Sequence, residues 1–322
     1  MTPIPLTIAA KNEEATLGPC LDAIRAAAHY AERREGLRFD VLVVADDCSD
    51  GTATVARGRG VRVLESTGGK VEAQRAGARG REGPFHVFVD ADVLIAEATL
   101  HALARALFER PQVFVATPPR LPLPPRSRSR LARALCIYNQ RRGFSSQRTW
   151  FNGRCFAIRS WDIPTRAELR PRARRLPPDP FYDYEDGVRA DDIYLSRRVV
   201  AERGPSALAE TEEGVVLFRA AETLEGMFRT YRRMRMELER VSALFPELEA
   251  AHARYGTRRM DLLPTATPSE RLALAHFDAA LTLCRARYRL ERAHARHLAL
   301  EPLVPWPAIA ETKCSLAMPT RG

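Results

Sequence analysis

Two aspartates, Asp90 and Asp92, stand one residue apart at the end of the apolar segment 85–89. The segment is predicted to be a buried β-strand, and open parallel sheets bind ligands beyond the carboxyl ends of their strands. Side chains at positions i and i+2 of an extended chain point the same way, so the two carboxylates can converge. Converging carboxylates need a cation between them or share a proton. Mg²⁺ or Mn²⁺ fits such a pair, whereas the simpler alternative is an acidic turn.

Further polar clusters follow other apolar segments. Residues 5–10 precede Lys-Asn-Glu-Glu at 11–14, and residues 39–45 precede Asp-Asp-Cys-Ser-Asp-Gly-Thr at 46–52. Such sequences are typical of turns and helix N-termini. Because these segments read as neighbouring strands, we expect the clusters to lie on one edge of a sheet.

Predicted strands and helices alternate up to about residue 117. This alternation predicts an α/β fold with a doubly wound, mostly parallel sheet flanked by helices. There is no G-x-G-x-x-G after the first strand and no phosphate-binding loop of the G-x-x-x-x-G-K-[ST] type. A dinucleotide-binding enzyme is therefore not expected.

The rest of the chain is predicted to contain proline-rich loops and then helices. Residues 117–125 and 170–180 are predicted to be loops. Apolar residues recur at helical spacing from Leu224 to Phe245, and the capping box at 267–270 predicts a second helix to about residue 300. We expect a helical C-terminal extension over residues 219–322.

The net charge of +10 is concentrated in one segment. Residues 120–175 contain 15 arginines and two acids, which predicts a surface for phosphate, acidic lipid or nucleic acid. Six scattered cysteines, no apolar run of about 18 residues and no signal-peptide pattern favour a cytoplasmic protein. Peripheral contact with the inner face of the membrane through 120–175 is a further expectation.

Five stretches, in order, resemble the motifs of glycosyltransferase family 2. They correspond to its V-I-P-x-Y-N-E-E, V-V-D-D-x-S-x-D-G-T, G-K-x-x-A-x-N-x-G, D-x-D and T-E-D-x-D-L sequences, and lie at residues 7–14, 43–52, 69–77, 90–92 and 190–195. Each motif is weak alone, but their shared order is specific. The resemblance implies a GT-A fold over residues 1–218, with a nucleotide-sugar half (1–117) and an acceptor half (118–218).

The resemblance also implies roles for particular residues. The nucleotide-diphosphate sugar, with a UDP-sugar as the first expectation, would be bound by Ala9, Ala10, Glu13, Asp46, Lys70, Asp90, Ala91 and Asp92. Asp90 and Asp92 would hold Mn²⁺ or Mg²⁺. Asp192 would be the general base for inverting transfer of one sugar, with Asp191 as its rival. The structural alternatives are helix capping for the acids and a solvated side chain for Lys70.

Some positions depart from the family pattern or stay unassigned. Lys11 stands where the family has tyrosine, and Ala45 replaces the first of two aspartates. Q-x-x-R-W, typical of processive synthases, is absent. His252 is a candidate third metal ligand, Asn152–Gly153 resembles the acceptor-side turn, and three arginines could contact the leaving phosphates: Arg229, Arg232 and Arg233.

Two other functions are open. A nucleotidyltransferase also needs acids and a metal, but usually opens with a Gly/Arg-rich phosphate loop. A non-catalytic binder could use 120–175, where Tyr138 and Trp150 are among the aromatic residues that could stack on bases. For the transferase we expect an anionic or lipid-linked acceptor and no nucleic acid.

Overall fold

The computed structural model describes residues 2–142, 149–181, 183–255 and 266–297, with Lys313 and Leu316. Within them the strands are β1 Ile4–Ala10, β2 Phe39–Asp46, β3 Arg62–Ser66, β4 His86–Asp90, β5 Val93–Ile95, β6 Val115–Thr117, β7 Arg120–Pro122, β8 Cys155–Ile158, β9 Leu208–Glu210 and β10 Val216–Phe218. The α-helices are α1 Glu14–Glu35, α2 Thr52–Gly58, α3 Lys70–Ala78, α4 Thr99–Glu109, α5 Arg130–Arg142, α6 Arg166–Ala173, α7 Asp191–Arg203, α8 Leu224–Leu244, α9 Pro246–Ala253 and α10 Pro268–His297.

Seven strands form the main sheet in the order β3-β2-β1-β4-β8-β6-β9. The strands β3, β2, β1 and β4 run parallel, whereas β8 lies antiparallel between β4 and β6. A small second sheet has the order β5-β10-β7. The predicted α/β fold with a mostly parallel sheet and a helical C-terminal part is confirmed.

The register of the central strands brings the predicted polar clusters together. Ala9 of β1 pairs with Val44 of β2 on one side and with Asp90 of β4 on the other. Asp46 ends β2, so it lies on the same edge as Asp90. Because the three strands are parallel and adjacent, their carboxyl ends and the loops that follow them share this edge.

Apolar cores cover both faces of the main sheet. One contains Ile8 and Val89 with Leu17 of α1 and Leu103 of α4. The other contains Phe88, Phe156 and residues of α7 and α8. A strand buried on both faces is expected to be almost continuously apolar, which explains why β1, β2 and β4 were recognisable in the sequence.

The C-terminal helices pack against an earlier helix. Ala134 and Leu135 of α5 share an apolar cluster with Phe228 of α8 and with Phe277 and Tyr288 of α10. The predicted capping box is present at the start of α10, where the Glu270 carboxylate accepts the Thr267 N–H at 2.8 Å. The helices α8 and α10 therefore contact the 118–218 segment through α5.

Two predicted loops contain regular structure. Arg120–Pro122 forms β7 and pairs with β10, although prolines surround it. Residues 166–173 form α6 because Thr165 and Glu168 make a capping box that the sequence reading missed. Pro171 lies inside α6, where its ring removes only one helical hydrogen bond.

The described part of the chain contains no helix that is both long and apolar enough to cross a membrane. Its five cysteines are free thiols.

The contact between α3 and β1 gives a stability prediction. A Cβ atom on Gly77 would clash with the Thr7 side chain, whereas a Cβ on Gly58 would meet no atom within 4 Å. We expect Gly77→Ala to lower the free energy of unfolding by about 1–3 kcal/mol, as overpacking does. Gly58→Ala, the matched control, should be neutral or slightly stabilising. Urea unfolding measures both, and equal effects would contradict the tight contact.

Candidate active site

A cavity of about 500 Å³ opens at the carboxyl edge of β1, β2 and β4. The residues predicted to bind the nucleotide sugar all line it: Ala9, Ala10, Glu13, Asp46, Lys70, Asp90, Ala91 and Asp92. The lining also includes cations that no sequence motif assigned, among them Arg166, Arg189 and Lys313. The chain therefore brings acids and cations to one depression at the strand ends.

The loops after β1 and β2 are joined at the mouth of this cavity. Asn12 and Asp47 have left-handed φ angles of 54° and 47°, which Asn and Asp tolerate better than most residues. The Asn12 Oδ1 atom accepts the Ser49 N–H at 2.8 Å. Lys11, found where the family has tyrosine, forms an exposed ion pair with Asp47.

Asp46 is buried and has an unpaired oxygen. Its Oδ1 accepts the Gly69 N–H at 3.1 Å and the Ser66 hydroxyl at 3.4 Å. Its Oδ2 has no hydrogen-bond partner among the described residues. Gly51, not Asp46, is the N-cap residue of α2. A buried acceptor without a partner costs free energy, which a hydrogen-bond donor on a ligand would recover.

Glu13 is the N-cap residue of α1, but its side chain does not cap that helix. Its Oε2 accepts the Thr16 hydroxyl at 2.6 Å, and its Oε1 lies 2.5 Å from the Lys313 ammonium. Lys313 also donates to the carbonyl oxygen of Lys11. No sequence motif predicts this contact between residue 313 and the end of β1.

Lys70 connects the two predicted halves of the site. Its ammonium lies 2.7 Å from Asp90 Oδ1, 3.2 Å from Asp191 Oδ1 and 3.4 Å from the carbonyl oxygen of Gly153. Burial disfavours the charged amine, but Asp191, Asp90 and Asp192 outweigh it and raise the Lys70 pKa above its usual value. The side chain is therefore a fixed cation at the cavity.

The two aspartates of the D-x-D sequence fit a divalent cation that is shared with a ligand. Burial, reinforced by Asp90 and Glu13, raises the pKa of Asp92 to about 6. A bound cation would neutralise part of the negative charge that these neighbouring carboxylates concentrate here. No group of three acidic, histidine or cysteine ligands occurs in the described residues. Two carboxylates suffice for Mg²⁺ or Mn²⁺ when phosphate oxygens complete the coordination.

His252, the candidate third metal ligand, is used elsewhere. Its Nε2 atom bonds the carbonyl oxygen of Thr149 at 3.0 Å, and the residue does not line the cavity.

Asp191 and Asp192 begin α7 but do not cap it. Asp191 is 1% exposed, and its carboxylate is held by Lys70 and by the Gln74 amide at 2.7 Å. The Asp192 Oδ2 atom accepts the Gly153 N–H at 3.2 Å. Burial and the nearby Asp191 raise the pKa of Asp192 to about 6. Of the two acids, Asp192 is better suited to take up a proton near neutral pH.

Gly153 is needed beside Asp192. A Cβ atom at this position would lie 2.9 Å from the Asp192 Cβ. The turn formed by Asn152 and Gly153, which the sequence linked only weakly to the acceptor, thus contacts the predicted base directly.

Glu237 of α8 holds the start of α7 in place. Its side chain is fully buried, and its Oε1 accepts the N–H groups of Arg189 and Ala190 at 2.8 and 3.1 Å. Arg240 pairs with its other oxygen at 3.4 Å. These two backbone groups immediately precede Asp191 and Asp192. Sequence reasoning missed Glu237 because it lies 45 residues from Asp192 within an ordinary helical pattern.

One of the three arginines considered as phosphate contacts reaches the cavity. Arg233 lines it, and burial lowers the Arg233 pKa. Arg229 pairs with Glu225 at 3.0 Å, and Arg232 lies over the Phe181 ring.

The basic segment 120–175 is less electropositive than its composition predicts. Its arginines pair with acids from other parts of the chain: Arg141 with Glu270, Arg172 with Glu247, and Arg170 and Arg174 with Glu185. Two aromatic residues considered as base-stacking groups are also engaged. Tyr138 stacks on Phe277, and Arg120 lies over Trp150. These contacts weaken the case for a nucleic-acid surface.

An acid-lined cavity at the strand ends of such a sheet defines a class of nucleotide-dependent transferases. Residues 6–162 match the model of the family described as glycosyl transferase family 2. The chain therefore carries a family 2 glycosyltransferase domain in this segment and is a nucleotide-sugar glycosyltransferase. The resemblance drawn from the five motifs is confirmed.

Solved structures give a more distant comparison. The chain is similar to a structure titled as a mycobacterial protein, with a TM-score of 0.50, 18% identity, and coverage of 77% of this chain and 75% of the other. It also matches glucosyl-3-phosphoglycerate synthase from Mycobacterium tuberculosis, in complex with Mn²⁺, UDP-glucose and phosphoglyceric acid, with a TM-score of 0.48, 17% identity and coverage of 77% and 80%. The comparison with curated proteins finds no match.

The contacts of Glu237 predict a role in positioning. Glu237→Ala leaves the N–H groups of Arg189 and Ala190 unpaired, so the start of α7 should shift. We expect turnover to fall by about 10²-fold, as small displacements of reacting groups do, with little change in nucleotide affinity. Glu237→Gln, which keeps an acceptor oxygen, should restore most turnover. Release of nucleoside diphosphate and nucleotide-induced thermal shifts measure the two effects; a parallel loss of both would indicate general unfolding.

Proposed function

We propose that the protein is an inverting, metal-assisted glycosyltransferase. It moves one sugar from a nucleotide-diphosphate sugar to a hydroxyl group of an anionic acceptor. A UDP-sugar is the first candidate for the donor. The observation that carries this proposal is the meeting of the eight predicted nucleotide-sugar residues in one cavity, with Lys70 joining them to Asp191 beside the predicted base.

The cavity offers a distinct environment to each part of the nucleotide sugar. The unpaired Asp46 oxygen suits an N–H group of the base, and Glu13 suits a ribose hydroxyl. Asp90 and Asp92 would hold Mg²⁺ or Mn²⁺, which when bound neutralises the leaving diphosphate as a Lewis acid. Arg233 adds a further cation to the same lining.

Asp192 is proposed as the general base. Its carboxylate takes the proton of the acceptor hydroxyl as that oxygen attacks the anomeric carbon, and the bond from this carbon to the diphosphate breaks. A single displacement of this kind inverts the anomeric configuration. Asp191 serves as a fixed neighbour, because Lys70 and Gln74 already occupy its oxygens.

The acceptor is proposed to be anionic. Arg166 and Arg189 line the cavity beside Arg233, and guanidinium groups bind phosphate and carboxylate in bidentate fashion. A lipid-linked phosphate would satisfy the same groups. Peripheral contact with the inner face of the membrane stays a prediction for 120–175; the exposed arginines at the start of α5 are its candidate contacts, Arg128, Arg130 and Arg133.

A thermal-shift panel tests the nucleotide and the metal. UDP, GDP, CDP and dTDP are each added with and without Mn²⁺, since a ligand that binds only the folded state raises the melting temperature. We expect UDP to stabilise most, to need Mn²⁺, and to lose its effect in Asp92→Asn. No response to any nucleotide would count against the proposal, and pyrophosphate release from a nucleoside triphosphate would favour the nucleotidyltransferase.

The raised pKa of Asp192 predicts how the rate depends on pH. The base acts only when ionised, and its folded-state pKa of about 6 lies above the usual aspartate value. Turnover should therefore fall about tenfold for each pH unit below 6. Asp192→Asn should lower turnover by roughly 10²–10⁴ at pH 7.5 and abolish this acidic limb.

Separate measurements test which aspartate is the base and which anomeric configuration the product has. If Asp191→Asn, not Asp192→Asn, removed the acidic limb, the base assignment would be reversed. NMR of the product gives the anomeric configuration, and retention would refute the single-displacement mechanism.

A further inference from the structure

A second cavity lies between α8 and α10, and it shares no lining residue with the first. Its volume is about 480 Å³, and α8 contributes Tyr231, Arg235 and Glu239 to its wall. The α10 side supplies mainly arginines: Arg285, Arg289, Arg292 and Arg296, with Tyr288 between them. We call this cavity the arginine groove.

The acids near the groove are already paired. Glu239 binds Arg235 at 3.1 Å and Arg292 at 2.8 Å, and Arg292 also binds Asp179 at 2.7 Å. The Glu239 Oε2 atom accepts the hydroxyl of Tyr288 as well. The carboxylates thus fix two arginines and leave no free acidic oxygen to balance the others.

Three guanidinium groups remain without an ion pair in the described part of the chain. Arg285, Arg289 and Arg296 are exposed, and none has an acidic partner there. Their spacing of four and seven residues places them on one side of α10, where like charges one turn apart destabilise a helix. Elsewhere on α10 this repulsion is offset, because the Arg287 guanidinium pairs with the Glu291 carboxylate at 3.1 Å.

The groove continues into a neighbouring space of about 500 Å³ that Glu239, Arg292 and Arg296 also line. Its other wall contains Asp179, Tyr184, Ala243 and three prolines, Pro177, Pro178 and Pro180. A bound molecule could therefore place its charge among the arginines and an uncharged portion against the prolines.

We propose that the arginine groove binds a phosphate-bearing ligand, at a site separate from sugar transfer. Arginine pairs with phosphate through two parallel hydrogen bonds, and several guanidinium groups around one space favour a multiply charged anion over a single carboxylate. The phosphate can belong to a free phosphorylated compound or to the headgroup of an anionic lipid. The proposal does not depend on the identity of the sugar donor or acceptor.

The test uses Arg285→Ala/Arg289→Ala in the full chain. Both side chains are exposed and unpaired within the described residues, so the fold should be preserved, which the melting temperature checks. The control is Arg33→Ala/Arg79→Ala, the same change of charge at two exposed arginines outside both cavities and outside 120–175. Inorganic pyrophosphate is titrated calorimetrically into each protein without divalent metal. Any pyrophosphate that binds at the first cavity does so equally in all three proteins, because none of the substituted residues lines that cavity.

We expect pyrophosphate to bind the double variant about tenfold more weakly than the wild type, and the control to match the wild type. Equal affinity in all three proteins, or an equal loss in the control, would overturn the proposal. UDP-induced thermal shifts of the same proteins report separately on the first cavity. The proposal for the active site and the proposal for the arginine groove can therefore be rejected independently.

Vesicle sedimentation distinguishes the two phosphate sources. Binding to phosphatidylglycerol vesicles but not to phosphatidylcholine vesicles, lost in Arg285→Ala/Arg289→Ala and kept in the control, would assign the groove to a lipid headgroup. Pyrophosphate binding without vesicle binding would assign it to a free phosphorylated compound.

Discussion

The ammonium group of Lys70 is the contact on which the geometry of the site depends. It bridges Asp90 at the end of β4 and Asp191 at the start of α7, two residues 101 positions apart in the chain. Without a cation between them, the carboxylates of Asp90, Asp191 and Asp192 would repel one another, and holding them together away from solvent would be costly. The Lys70 ammonium therefore allows the acid at the end of β4 to lie close to the acids at the start of α7. In this way it sets the distance between the nucleotide-sugar residues and the predicted base.

The choice of lysine at this point has a physical reason. Lys11, Lys70 and Lys313 are the only lysines among 50 basic residues, and all three line the same cavity. An ammonium group is compact and directs three hydrogen bonds away from one atom, whereas a guanidinium is a planar fork. Lys70 and Lys313 each contact acceptors from three different residues. The planar fork of a guanidinium is less suited to acceptors that diverge in this way.

The sequence predicted the half of the site that is built from strand ends. Asp46 and Asp90 terminate apolar strands, so alternation and motif order were enough to place them on one edge. The other half depends on long-range contacts that leave no local pattern. Glu237 and Lys313 reach the site from segments whose residue spacing predicts no contact with it. Arg233 was one of three candidate arginines that the sequence alone did not distinguish. The α6 helix was missed for another reason, because the prolines of 170–180 predicted a loop and the four-residue capping box at 165–168 was overlooked.

The charge composition of a segment also predicts only part of what the structure shows. The net charge of segment 120–175 was interpreted as a surface property, but four of its arginines pair with acids in α9, in α10 and at residue 185. Conversely, residues 285–296 contain five arginines and one acid, and three of these arginines face a groove without acidic partners in the described residues. Helix α8 separates the two environments: Arg233 and Glu237 face the catalytic side, and Arg235 and Glu239 face the groove. The C-terminal helices are therefore integral to the structure, because α8 holds the start of α7, where the proposed base lies, and also forms a wall of the second cavity.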